Sequence, residues 1–187
     1  MNFTLTLPQL IRHFDNEKLN YALIGGLAMA MRGVQRSTLD ADFILLAEDL
    51  EHANSILCEM GYERKFHSEN VSHYLSENPE LGRVDLLHAF RSATLGMLKR
   101  AERIKLTEDC LIPVVHLEDL IGLKVQAACN DPTRTQSDWA DIHRLILHAG
   151  QSGEIVDWEL INDYLTLFSQ SEKLEQLKQL HGTAQSK

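Results

Sequence analysis

The sequence predicts an α+β fold, a mixed β-sheet with flanking helices followed by a helical C-terminal segment. Three observations predict it. Strand-length apolar segments alternate with helix-length amphipathic ones as far as about residue 116. Beyond that point the periodicity is mostly helical. With 187 residues, 44% of them hydrophobic and 24% charged, the chain is long and apolar enough to bury one sizeable core. We read residues 1–116 as the sheet-bearing core and residues 117–187 as a helical segment packed on it.

The elements follow in order. "LPQLIRHFDNEKLN" carries Leu7, Leu10, Ile11 and Phe14 at helical spacing, with Pro8 expected in the opening turn. "YALIGG" is a short strand ending on glycines, and "LAMAMRG" a short helix that Gly33 can close. "LDADFILL" is a strand. In "AEDLEHANSILCEMGY" the residues Leu50, Ala53, Ile56, Leu57 and Met60 share a helix face, and Gly61 stops the helix. "YERKF" and "VSHYLS" pair as a hairpin around "HSEN", "NPELG" turns, and "RVDLLHAF" is the next strand. "SATLGMLKRAERI" reads as helical and "CLIPVV" as extended. The remainder, "HLEDLIGLKVQAACN", "TQSDWADIHRLILHAG", "DWELINDYLTLF" and "SEKLEQLKQLH", is helical. Gly150 to Gly153 reads as a linker, and "GTAQSK" as a frayed tail.

Charge and cysteine usage narrow the classes. A formal net charge of −9 argues against a surface that coats nucleic acid, since phosphate neutralisation supplies most non-specific binding. Cys58, Cys110 and Cys129 are scattered and form no C-x-x-C pair, so neither a disulfide framework nor a thiolate zinc site is expected. No secretory signal and no run of ~18 apolar residues is present. A reduced, cytoplasmic protein away from membranes is the expectation.

The chemistry is expected between Tyr21 and Leu46. Side chains two apart on a strand point to one face, so Asp40 and Asp42 project together. Close carboxylates repel unless a cation sits between them, and magnesium favours oxygen ligands shared with substrate phosphates. Gly25 and Gly26, lacking Cβ atoms, let a phosphate approach the backbone. Taken singly, Asp-x-Asp is more often a solvated strand end and Gly-Gly a tight turn; their nearness on successive strands strengthens the functional reading. Asp85 lies among aliphatic residues on a later strand. It either faces outward against Arg83 or Arg91, or joins Asp40 and Asp42 around metal ions.

"GGLAMAMRGVQRSTLDADF", with Asp85 downstream, resembles the signature of the nucleotidyltransferase superfamily, which shares a polymerase-beta-like core. More narrowly it resembles small bacterial nucleotidyltransferases of the AbiEii toxin type. The likeness is specific over Tyr21 to Leu46, weaker around Asp85, and suggestive at "DLIGLKVQA" and "SDWADIHRL". It implies a magnesium-dependent enzyme moving an NMP from an NTP, ATP among them, to a hydroxyl. Asp40, Asp42 and Asp85 would hold two Mg2+ ions, with Asp85 helping to deprotonate the acceptor. Gly25, Gly26, Arg36, Thr38 and Lys124 would attend the nucleotide. The acceptor stays open among an RNA end, a protein and a small molecule, and so does a partner protein or homo-oligomer. The alternative is a non-catalytic nucleotide- or partner-binding module of the same fold, regulatory or toxin–antitoxin-like.

Each supporting residue has a plainer reading. Arg36 either grips a phosphate or neutralises the aspartates. Thr38 reads as a turn or strand-edge hydroxyl. Lys124 shares a stripe with Leu117, Leu120, Ile121 and Ala128, where a lysine commonly snorkels its stem over the core. Asp138 and Asp141 either position Lys124 or lie on a solvated face, the latter favoured by the helix pattern alone. His88, three residues from Asp85, faces the other side of its strand, so no catalytic histidine–carboxylate pair is expected, and the histidines read as surface or satisfied core residues. Neither a P-loop, a Rossmann fingerprint nor a G-x-S-x-G elbow occurs.

Overall fold

In a computed structural model, described for residues 1–185, the chain divides into two compact units. The first comprises Met1–Met31 with Gln35–His116. The second comprises Arg32–Val34 and the chain from Leu117 onward.

The first unit carries helix α1 (Phe3–Asn16), strand β1 (Tyr21–Ile24), helix α2 (Gly25–Met31), β2 (Asp40–Leu46) and α3 (Leu50–Glu59). It continues with β3 (Glu63–His67), β4 (Val71–Leu75), β5 (Arg83–Ala89), α4 (Ser92–Arg100), β6 (Glu102–Thr107) and β7 (Cys110–Val114). The seven strands form one mixed sheet in the order β3-β4-β5-β2-β1-β7-β6. β1 runs antiparallel to β2, whereas β2 and β5 are parallel. Ala41, Phe43 and Leu45 on one face of β2 are fully buried. Phe14 of α1 and Tyr21 meet Phe43 edge-on at 5.9 and 6.0 Å between ring centres, which anchors α1 on that face. Asp40 and Asp42 therefore leave β2 on the face opposite the α1 packing.

The second unit holds α5 (Leu117–Asn130), α6 (Thr135–Ser152), α7 (Trp158–Leu167) and α8 (Leu174–Gln185). Leu120, Ile121, Val125, Ile142, Leu145, Ile146, Ile161 and Leu165 are buried in its core. Gly122 lies so close to the Tyr164 ring that an added Cβ would stand 2.6 Å from it.

Several elements differ from the sequence reading. Helix α1 starts at Phe3, so Pro8 lies inside it rather than in its first turn. "ERI" belongs to β6, because Ile104 pairs with Ile112 in a ladder with β7 that overrides local helical spacing. Gly150 is no linker: α6 continues to Ser152, and only Gly153, at φ +72°, ends it in the left-handed region. Gly150 sits where a Cβ would meet the His181 carbonyl at 2.6 Å, so tight helix packing explains that glycine. The expected tail is helical as far as Gln185, and Ser186 and Lys187 lie outside the described residues. Among the described residues no helix is long and apolar enough to cross a membrane.

Candidate active site

The site is assembled by strand register. Asp42 on β2 stands opposite Asp85 on β5, and Asp40 opposite Arg83. Because β2 and β5 are parallel neighbours, Asp40, Asp42 and Asp85 share one sheet face. Each offers a carboxylate oxygen, and these atoms lie within 4.8 Å of one another. All three side chains are half-buried, so water and ligands can reach them. An all-oxygen, all-anionic donor set of this spacing fits a hard divalent cation.

The neighbours fix the carboxylates. Thr38 donates its hydroxyl to Asp40 Oδ1 at 2.6 Å. Arg83 Nε donates to Asp85 Oδ1 at 2.7 Å, and His73 Nδ1 lies 2.8 Å from the same oxygen. The hydrogen bond to Asp85 above all raises the Arg83 pKa over the ordinary arginine value; burial opposes it, and the charges of Asp85, Asp40 and Asp42 reinforce it.

The glycine pair acquires a second meaning. Gly25 has φ +68°, and a Cβ built there would stand 2.0 Å from Asp42 Oδ2. At Gly26 a Cβ would stand 2.9 Å from Thr38 Cβ. The absent side chains thus make room for one carboxylate and for the threonine that orients another.

Arg36 is half-buried on the segment between α2 and β2. Lys124 is in the second unit, buried, with Nζ 2.8 Å from Asp138 Oδ1 and 2.7 Å from Asp141 Oδ2. Asp138 and Asp141 are therefore not a solvated face: they are 0% and 1% exposed, facing α5 because Lys124 supplies their counter-charge. Arg134 Nε, 3.2 Å from Asp138 Oδ2, and Arg144 Nη1, 3.1 Å from Asp141 Oδ1, flank them.

His88 points away from the carboxylates, as alternation predicts, and lies between Ser72 Oγ and the Glu69 carbonyl, at 2.9 Å from each. His73, which the sequence reading did not single out, does meet a carboxylate, that of Asp85. Its position opposite Asp85 depends on β4 pairing with β5, which spacing within one strand does not specify. The available signal was alternation in "VSHYLS", which puts His73 on the face away from Ser72 and Tyr74.

A seven-stranded mixed sheet with a carboxylate trio beside a glycine pair defines a nucleotidyltransferase-type fold and site. The family comparison agrees: residues 7–183 match the model of the family described as nucleotidyl transferase AbiEii toxin, type IV TA system, and the chain belongs to that family. It is accordingly a nucleotidyltransferase. Among curated proteins none matches the sequence. Solved structures share the fold. The antibiotic-resistance factor ANT(2'')-Ia is 16% identical with a TM-score of 0.66, over 94% of this chain and 97% of that one. An antigenic nucleotidyltransferase-like protein from Paracoccidioides brasiliensis is 18% identical with a TM-score of 0.57, over 95% and 92%. The lincomycin-bound lincosamide antibiotic adenylyltransferase LnuA is 17% identical with a TM-score of 0.55, over 75% and 94%.

Proposed function

We propose that the protein is a cytoplasmic, magnesium-dependent nucleotidyltransferase that moves an NMP from an NTP to a hydroxyl acceptor. The convergence of Asp40, Asp42 and Asp85 carries this reading, because a purely binding module could dispense with the third carboxylate whereas a two-ion site uses it. The three aspartates would hold the two ions, and magnesium bound there would supply positive charge against the triphosphate and the charge developing at the α-phosphorus.

The chain's own groups do the rest. Thr38 holds Asp40 in one orientation. Gly25 and Gly26 keep side chains away from the approaching phosphates, and Arg36 adds a cation on the adjoining segment. Asp85 accepts the proton of the acceptor hydroxyl at Oδ2, since Oδ1 is occupied by Arg83 and His73. The acceptor oxygen then forms its bond to the α-phosphorus as the bond to pyrophosphate breaks. No covalent enzyme intermediate is needed; positioning and charge neutralisation carry the rate. The acceptor is an RNA end, a protein or a small molecule, and the family's description places the activity in a toxin–antitoxin setting.

The test is incubation of the purified protein with each α-labelled NTP and fractionated lysate, with magnesium or with EDTA. Label should pass to one acceptor fraction with magnesium only. Asp40→Asn and Asp42→Asn should each lose transfer by at least ~100-fold, the upper end of what an outer-shell substitution costs at a metal site. Transfer that survives in either variant removes the reading.

A further inference from the structure

We infer that His73 is a positioning residue for Asp85. This rests on the proposed metal-dependent transfer and adds to it the device that sets the third carboxylate. Pairing across four strands puts Phe66 of β3, His73 of β4, Asp85 of β5 and Asp42 of β2 in one transverse row on the site face. His73 Nδ1 lies 2.8 Å from Asp85 Oδ1. An ionised carboxylate only accepts, so Nδ1 must carry the proton and donate it. That tautomer denies Arg83 Nη2, 3.2 Å from the same nitrogen, a hydrogen bond there; the guanidinium instead uses Nε on Asp85 Oδ1.

Two donors therefore converge on one oxygen of Asp85. The carboxylate cannot rotate about its Cβ–Cγ bond without losing both, and Oδ2 is left for the cation and the acceptor proton. The imidazole is itself braced: the Phe66 ring stacks on it at 5.3 Å between centres, 26° from parallel. Arg83 alone would not hold this geometry, because its side chain is 46% exposed and long, whereas His73 has two rotatable bonds and a stacked partner.

The experiment compares His73→Ala and His73→Asn with the natural protein. The asparagine amide nitrogen stands as many bonds from Cβ as Nδ1 does and restores the donor without the ring. The probe is Mn2+ binding to the protein without nucleotide, followed by the electron paramagnetic resonance of free manganese. His73→Ala should weaken Mn2+ binding 10- to 100-fold and lower kcat by a similar factor, with KM for the NTP within about twofold. His73→Asn should recover most of both. A merely structural histidine would lower the melting temperature in EDTA and leave the two variants alike in Mn2+ affinity, which overturns the inference, as does unchanged binding in His73→Ala. A natural protein that binds no Mn2+ overturns the metal reading and this inference together, whereas normal binding in both protein and variant overturns this inference alone.

Discussion

The molecule holds two clusters of acidic side chains around a cation, and they are built on opposite principles. At Asp40, Asp42 and Asp85 three half-buried carboxylates share a sheet face, and the Arg83 guanidinium meets Asp85 there. At Asp138 and Asp141 two carboxylates, each at most 1% exposed, surround the Lys124 ammonium, with Arg134 and Arg144 at their flanks. The first cluster is open to solvent; the second is closed around its own ammonium group. A fold keeps unbalanced like charges together only where solvent screens them or a ligand will cancel them. The second cluster already contains its own cation; under the proposed function the first is the one that receives cations.

Removing charge should therefore have unequal consequences in the two places. Lys124→Met leaves two buried carboxylates facing each other, and the loss of one partner from a buried pair costs about 3–5 kcal/mol. Urea unfolding should show it as a lower midpoint at unchanged slope. The Asp42→Asn protein, measured the same way in EDTA, should lose much less stability, because its carboxylate cluster is only half-buried and solvent screens it. Were Lys124→Met as stable as Asp42→Asn, the second cluster would not be the closed ion pair the distances describe. Lys124→Met transfer, assayed where the variant is folded, also tests the phosphate role expected for that lysine.

Gly25→Ala sharpens the same contrast with a smaller effect. The alanine must hold a left-handed φ of +68° and place its Cβ on Asp42 Oδ2. Left-handed strain in a non-glycine residue costs on the order of 1–3 kcal/mol, and the carboxylate has to turn away. Transfer and Mn2+ affinity should both fall. Asp42→Asn has no such strain, so a Gly25→Ala protein with natural stability and natural Mn2+ binding would break the link between glycine and aspartate.

Much of the site was legible because it is local. Gly25, Gly26, Asp40 and Asp42 sit on neighbouring elements of one short stretch, and strand alternation alone puts the two aspartates together. Asp85 was legible as chemically odd, a carboxylate among aliphatic residues, but its place beside Asp42 depends on β5 choosing β2 as neighbour. His73 was missed for the same reason, one strand further away. The strand β6 was misread because "KRAERI" continues the helical spacing of α4, and only the ladder with β7 overrules it. Asp138 and Asp141 illustrate the converse: polar residues on a helix read as solvated until a lysine on another helix is known to meet them. Periodicity reports which residues share a face, and it is silent on what that face meets.

A third ion pair, only partly buried, calibrates the other two. Arg103 on β6 grips Asp15 of α1 with both terminal nitrogens, Nη1 to Oδ2 at 2.9 Å and Nη2 to Oδ1 at 2.8 Å, while the Tyr21 hydroxyl donates to Oδ1 at 3.0 Å. The arginine's hydrogen bonds chiefly, with Tyr21's and the arginine charge assisting against partial burial, hold the Asp15 carboxyl below its usual pKa. A depressed carboxylate pKa stabilises the fold above the unfolded value, near 3.8, and that contribution fades as pH falls through the folded value. Arg103→Leu should therefore lower the melting temperature slightly at pH 7, since exposed pairs contribute at most about 1 kcal/mol. The gap between variant and natural protein should narrow as pH falls through the lowered folded-state pKa of Asp15. A gap that persists in acid would assign the effect to the packing of the arginine stem rather than to its charge.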